Sequence, residues 1–309
     1  MAGKTEFWRI LLAACSITLV WPRVSITAEF SRGGADSCLL CHAESSQKSA
    51  VAIFVTPHGS RQNPDAPFAR LQCESCHGPS EDHARAQRHG DGVKPRRVFG
   101  TGSPTPASEQ NRVCIACHET QGRLSWFGSK HEAAQVSCAS CHQIHRERDR
   151  VFDSLAQQQA CFACHPKRRA DTFKASTHPL RFGEMSCSSC HDPHNGSNDF
   201  LLRAATVNEN CYTCHAEKRG PFLWEHAPAS EDCTLCHRPH GSNHRALLVK
   251  RPPLLCQQCH AAEGHPSVAY GSGEVENNFS NRFLLGRACL NCHSQIHGSN
   301  HPAGMRFLR

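Results

Sequence analysis

The chain has 309 residues, a formal charge of +7, 39% hydrophobic residues, 21 cysteines and 23 histidines. Twenty of the cysteines fall in one repeated motif, and without them the apolar share drops to about a third, too little to close a conventional core over this length. This composition excludes a chain that packs on its own side chains alone, and no apolar stretch reaches the ~20 residues of a membrane-spanning helix.

The first 28 residues read as an export signal peptide. Lys4 and Arg9 precede an apolar run from Ile10 to Trp21, and Ile26-Thr27-Ala28 offers a small-residue cleavage site. Leu12-Ala13-Ala14-Cys15 resembles a lipoprotein box and would account for the one cysteine outside the repeat. Only five apolar residues precede Cys15, however, and apolar sequence continues after it, which disfavours a lipid anchor there. The compartment expected is the bacterial periplasm.

From residue 29 the motif Cys-x-x-Cys-His recurs ten times, in five doubled modules. Module one (29–112) carries Cys38/Cys41-His42 and Cys73/Cys76-His77. It ends in a tract from Ala84 to Arg112, rich in Gly, Pro and basic residues, that reads as a loop or linker. Module two (113–155) carries Cys114/Cys117-His118 and Cys138/Cys141-His142. Module three (156–205) carries Cys161/Cys164-His165 and Cys187/Cys190-His191. Module four (206–250) carries Cys211/Cys214-His215 and Cys233/Cys236-His237. Module five (251–309) carries Cys256/Cys259-His260 and Cys289/Cys292-His293, stretched by a further loop from Pro266 to Arg287. The last four modules start 45 to 50 residues apart, one supersecondary unit per step.

Cys-x-x-Cys-His is the signature of covalent c-type haem attachment: two thiols add to the haem vinyl groups and the next residue offers its imidazole to the iron. Zinc ribbons and thioredoxin-like sites also use Cys-x-x-Cys, but neither requires the histidine. Ten histidines after ten pairs would arise by chance roughly once in 10^11 trials. Ten covalent haems over the mature chain must therefore be the core, wrapped by short α-helices and irregular segments with little or no β structure, in an elongated haem chain. Folding should be coupled to cofactor insertion. The mature chain, at about +5, also gains some twenty propionates, so the assembled protein is near neutral or mildly acidic and nucleic-acid binding is not supported. Lys94-Pro95-Arg96-Arg97 reads as a solvated loop that pairs with propionates.

Ten histidines are proximal candidates, and thirteen remain. His58, His131, His178, His226 and His265 lie between the two motifs of a module; His83, His145, His194, His240 and His297 trail the second. They supply one distal candidate per haem. His89, His244 and His301 are left over, with His89 an alternative to His83 and His301 to His297. A histidine three residues after a proximal ligand, as at His145, His194 and His240, cannot reach the far side of its own haem. The expectation is that it ligates the first haem of its own module while the intervening histidine caps the second. Two imidazoles per iron hold the potential below that of a His/Met pair, and closed coordination argues against catalysis.

Motif number and order, length and export signal together resemble the MtrA/DmsE family of periplasmic decahaem cytochromes. The Cys-His-Gly-Pro stretch leading to His83 is similar to that family's elements, as is His-x-Pro-His at 191–194 and 237–240. The resemblance implies a slender haem chain inserted in an outer-membrane β-barrel partner, passing electrons between periplasmic carriers and a cell-surface cytochrome or external acceptor. The chain has no alternating strand pattern of its own, so the barrel would be another protein. A soluble periplasmic shuttle and a multihaem reductase of a small oxyanion are the competing readings. A reductase would show a haem without a distal histidine, or a lysine in a proximal position.

Overall fold

A computed structural model describes residues 28–45, 50–120, 123–260, 289–291, 293–302 and 304. Residues 1–27 of the expected signal segment, Cys292, His265 and the tract from Pro266 to Arg287 lie outside the described residues. The described chain is a succession of short helices and turns. The first half carries α1 (Ala35–His42), α2 (Glu74–His77), α3 (Glu81–Arg88), α4 (Ala107–His118), α5 (Lys130–Ala133) and α6 (Cys138–Cys141). The second half carries α7 (Ser154–Phe162), α8 (Pro166–Asp171), α9 (Val207–Tyr212) and α10 (Ala227–Glu231). The expectation of short helices with little β structure holds: the described strands are β1 (Trp224–Glu225) and β2 (Gly298–Ser299), paired antiparallel.

Local chemistry starts several of these helices. Ser129, Asp153 and Thr206 occupy the N-caps of α5, α7 and α9, and each side-chain oxygen accepts from a backbone amide of the first turn. α4, α7 and α9 then run straight into the first motif of a module. The corresponding second motifs sit on single turns: α6, then 3-10 turns at Cys187–Ser189 and Cys233–Leu235.

Packing between side chains is sparse. The buried hydrophobic residues described are Ala35, Ile53, Ala66, Phe68, Ile115, Trp126, Ala160 and Leu202, of which Ala35, Ile53 and Phe68 form one small cluster in module one. Phe152, Phe173, Phe182 and Phe200 are all more than 60% exposed. Apolar surface on this scale, facing outward beside the Cys-x-x-Cys-His turns, requires another apolar partner.

The tract from Ala84 to Arg112 is not all loop. Ala84–Arg88 complete α3 and Ala107–Arg112 begin α4. The turn between is pinned where Val98 N donates to Thr105 Oγ1 at 2.9 Å and Gly100 N donates to Gln110 Oε1 at 3.0 Å. The basic stretch within it is likewise more than a solvated loop, because Arg97 Nε donates to Glu109 Oε1 at 3.1 Å and the Arg97 carbonyl accepts from His77. Among the described residues no helix is long and apolar enough to cross a membrane.

Candidate haem-binding sites

Each motif is one helical turn. In eight of them the histidine amide donates to the carbonyl of the first cysteine at 2.8–3.0 Å, at His77, His142, His165, His191, His215, His237, His260 and His293. His42 and His118 end α1 and α4. Residues i, i+3 and i+4 share one face of such a turn, so both thiols and the imidazole point the same way. That is the arrangement needed to hold a flat ring by two edge bonds and one bond to its centre.

The imidazoles meet in pairs. His42 faces His83, His118 faces His58, His77 faces His145, and His165 faces His131. His142 faces His194, His215 faces His178, His191 faces His240, His260 faces His226, and His237 faces His297. All nine centroid separations lie between 5.9 and 6.4 Å. Each pair joins one motif histidine to one of the distal candidates. Two metal–nitrogen bonds of about 2.0–2.1 Å, with each ring centre roughly 1.1 Å beyond its nitrogen, would place centroids about 6.3 Å apart. The gaps therefore fit a metal held between two imidazoles. Among the described residues no three His, Cys, Asp or Glu side chains gather as a metal cage.

The rings are oriented from behind. Nδ1 of His77, His191 and His237 lies 3.0, 2.8 and 2.7 Å from the carbonyls of Arg97, Phe200 and Ala246. Nδ1 of His83, His131 and His178 lies 2.7, 3.1 and 2.9 Å from the carbonyls of Val93, Pro193 and Pro239. His142 differs, with its Nδ1 2.6 Å from Asp149 Oδ2. A proton on Nδ1, donated to these acceptors, leaves the Nε2 lone pair for the gap. Burial also holds His58, His77, His145, His165, His194 and His297 below the ordinary imidazole range and pushes His240 down to about 4. Neutral imidazole is the ligating form.

The structure departs from the expected ligand scheme in who faces whom. His145, His194 and His240 face the second motif of the preceding module, not the first motif of their own. His58, His131, His178 and His226 face the first motif of the following module, not the second of their own. His297 likewise faces His237, and His83 alone follows the expected scheme. Neighbouring modules thus exchange imidazoles reciprocally. Between modules three and four and between four and five, backbone pairing accompanies the exchange. After His240, Ser242 exchanges two backbone hydrogen bonds with Ser176 beside His178, at 2.8 and 2.9 Å. After His297, β2 pairs with β1 beside His226. Gly241 makes the first contact possible, since a Cβ there would stand 2.0 Å from the Asp171 carbonyl oxygen. His83, rather than His89, faces His42, and His297, rather than His301, faces His237.

The thiols complete the pattern. Within modules the first cysteines of the two motifs are neighbours: Cys38 with Cys73, Cys114 with Cys138, Cys161 with Cys187, Cys211 with Cys233 and Cys256 with Cys289. The neighbouring thiol holds Cys73 and Cys187 down to about 7. Between modules the second cysteines are neighbours: Cys76 with Cys117, Cys141 with Cys164, Cys190 with Cys214 and Cys236 with Cys259. First-to-first and second-to-second neighbours alternate along the chain from Cys38 to Cys289.

The polypeptide leaves five of the described attachment thiols exposed. Cys41 is exposed in the last turn of α1, and Cys117, Cys164, Cys214 and Cys259 are exposed in the same place of their modules. Each is the second cysteine of a first motif. Cys41 is therefore open to a vinyl group, and its cover would come from the porphyrin itself.

A second set of residues, not singled out from sequence, fastens the two motifs of a module. Asn111 and Asn208, each three residues before a first cysteine, are buried. Their Oδ1 atoms accept from the amides of Cys138 and Cys233 at 2.7 and 2.8 Å. Their Nδ2 atoms donate to carbonyls just upstream of those cysteines, Val136 at 3.0 Å and Ser230 at 3.0 Å. In module three, Gln157 and Ser188 make the equivalent pair of bonds at 3.0 and 3.1 Å. A repeated polar residue on the buried face of the helix was the available signal.

One-turn Cys-x-x-Cys-His chelates, paired imidazoles and an apolar surface awaiting a partner define a multihaem c-type cytochrome, an electron carrier. Residues 178–220 and 226–265 match the family described as the doubled CXXCH motif, and residues 73–156 match the NrfB-like cytochrome c-type family. Each doubled-motif match frames the second motif of one module with the first of the next, the same frame in which imidazoles are exchanged. The chain is 49% identical over 282 residues to the multihaem cytochrome MtrA of Shewanella baltica, covering 91% of this chain and 83% of that one. It is 34% identical over 135 residues to the cytochrome c-type protein NrfB of Haemophilus influenzae, covering 39% and 56%. Over 242 residues it is 24% identical to the polyhaem cytochrome OmcB of Geobacter sulfurreducens, covering 72% and 27%. The chain belongs to the MtrA family of multihaem cytochromes.

Proposed function

We propose that the chain binds ten haems c, each iron between two imidazoles, and carries electrons along them as the barrel-inserted periplasmic part of an outer-membrane conduit for external electron exchange. His265, outside the described residues, would complete the tenth pair with His293. Each iron, when bound, supplies a one-electron Fe(III)/Fe(II) couple. The protein's part is to close both axial positions, so that no site is left for a substrate, and to bring each attachment turn beside the next. The single observation that carries this reading is the set of nine imidazole pairs, each setting a motif histidine opposite a second histidine with ring centres 5.9–6.4 Å apart. At about 10 Å per step, ten centres would span roughly 100 Å against a membrane of ~40–45 Å. Irregular segments cannot face lipid, whereas the polar lumen of a barrel can sheathe them.

Two measurements test the proposal. The mass of the purified protein should give ten haems, and the fully reduced protein should bind no carbon monoxide. One equivalent of bound carbon monoxide would instead mark an open iron and favour a reductase. Extraction of outer membranes should recover the chain with a barrel protein, and liposomes should pass electrons inward only when both are present. Recovery of the chain alone, in the soluble periplasmic fraction, would replace the conduit with a shuttle.

A further inference from the structure

In modules one to four the second motifs repeat one device with one exception. In modules three and four the histidine turns Nδ1 to a backbone carbonyl nine residues on, from His191 to Phe200 and from His237 to Ala246. In module one the acceptor is the Arg97 carbonyl. In module two the returning segment is shorter, and the acceptor is the carboxylate of Asp149, seven residues after His142, with Oδ2 at 2.6 Å. Asp149 is built in: its side chain is 13% exposed, and Oδ1 accepts from the amides of Gln143 and Val151 at 3.1 and 3.4 Å. On the far side of the same gap, Nδ1 of His194 lies 3.4 Å from Asp192 Oδ1, which also accepts the His194 amide at 3.0 Å. None of the other eight described pairs has a carboxylate behind both rings.

We propose that Asp149, seconded by Asp192, is a positioning residue that holds the His142–His194 centre at a lower potential than the centres backed by carbonyls. A carbonyl is a neutral acceptor. A carboxylate pulls the Nδ1 proton further and leaves Nε2 more electron-rich, and a stronger donor favours the ferric state. Two such rings act on one iron from both sides. Cations oppose the effect without cancelling it. Arg150 spends its guanidinium on the Cys141 and Ser140 carbonyls at 3.0 and 2.6 Å. Arg123 lies near His194 and acts against Asp192, which is itself 47% exposed. Asp149 is therefore the larger contributor. The centre is fourth of ten in chain order, so electrons from either end meet it inside the chain, as a step they must climb.

The inference rests on the two-imidazole reading, and its test separates the two. In full-length, haem-loaded protein, Asp149→Asn keeps an oxygen for Gln143 and Val151 but removes the charge. A spectroelectrochemical titration should show one centre, the lowest in the wild type, move upward. Its Fe(III)/Fe(II) ratio at fixed potential should fall about tenfold, a shift of ~59 mV for one electron, with the haem count unchanged. Asp192→Asn should move the same centre by less. Glu217→Gln, whose carboxylate stands 3.9 Å from His215 on the exposed surface, should move none. If Asp149→Asn loses a haem, Asp192→Asn decides alone. Carbon monoxide binding by the wild type would overturn the two-imidazole reading. A wild type that binds none, with every potential unmoved in the variants, would overturn this proposal only.

Discussion

Contacts within a module and contacts between modules do different work. Within a module the two motifs are linked in sequence and fastened in space by polar contacts, such as the Asn111 or Asn208 clamp. Between modules the fastening is by exchanged imidazoles and short backbone pairings such as Ser176 with Ser242. In modules one to four the histidine of the second motif thus faces a histidine of the module that follows, and the intervening histidine faces the first motif of that same neighbour.

Removing the cofactors altogether should have the largest effect on that comparison, because both kinds of contact converge on the same gaps. A haem-free preparation should show no cooperative thermal transition by calorimetry, and a sharp one would mean the polypeptide folds on its own contacts. Next in size, His194→Ala should open one iron to carbon monoxide while nine stay closed. The exchange between modules puts that iron opposite His142, so adding Asp149→Asn should shift the infrared C–O stretch. If modules were self-contained, the open iron would lie opposite His165 and the stretch would not respond. Smallest is Asn208→Ala, which leaves the Cys233 amide without its acceptor and should cost about 1–3 kcal/mol, read as a lower denaturant midpoint with all haems retained.

Much of the site was legible because haem attachment leaves residues at fixed offsets. The cysteines, the motif histidines and the nine distal histidines now found facing them could all be picked out by position. The pairing could not. A histidine three residues beyond a motif histidine is barred from its own haem, but spacing alone does not say which neighbour it turns to; the Ser176–Ser242 contact decides, and nothing local marks it. Arg97 was hidden in a similar way. Its basic neighbours suggest a solvated loop, whereas it is the carbonyl of Arg97 that serves His77 and its guanidinium that reaches Glu109. Asp149 escaped notice because an isolated aspartate in Arg-Glu-Arg-Asp-Arg looks like ordinary surface charge until the short return brings it behind His142.

The exchange of imidazoles also sets an order of assembly. The histidines that face His77, His142, His191 and His237 lie 49 to 68 residues further along the chain. In synthesis from the N-terminus, each of these pairs therefore stays half-made until most of the next module has emerged. Maturation should advance along the chain with one unfinished site travelling at its front.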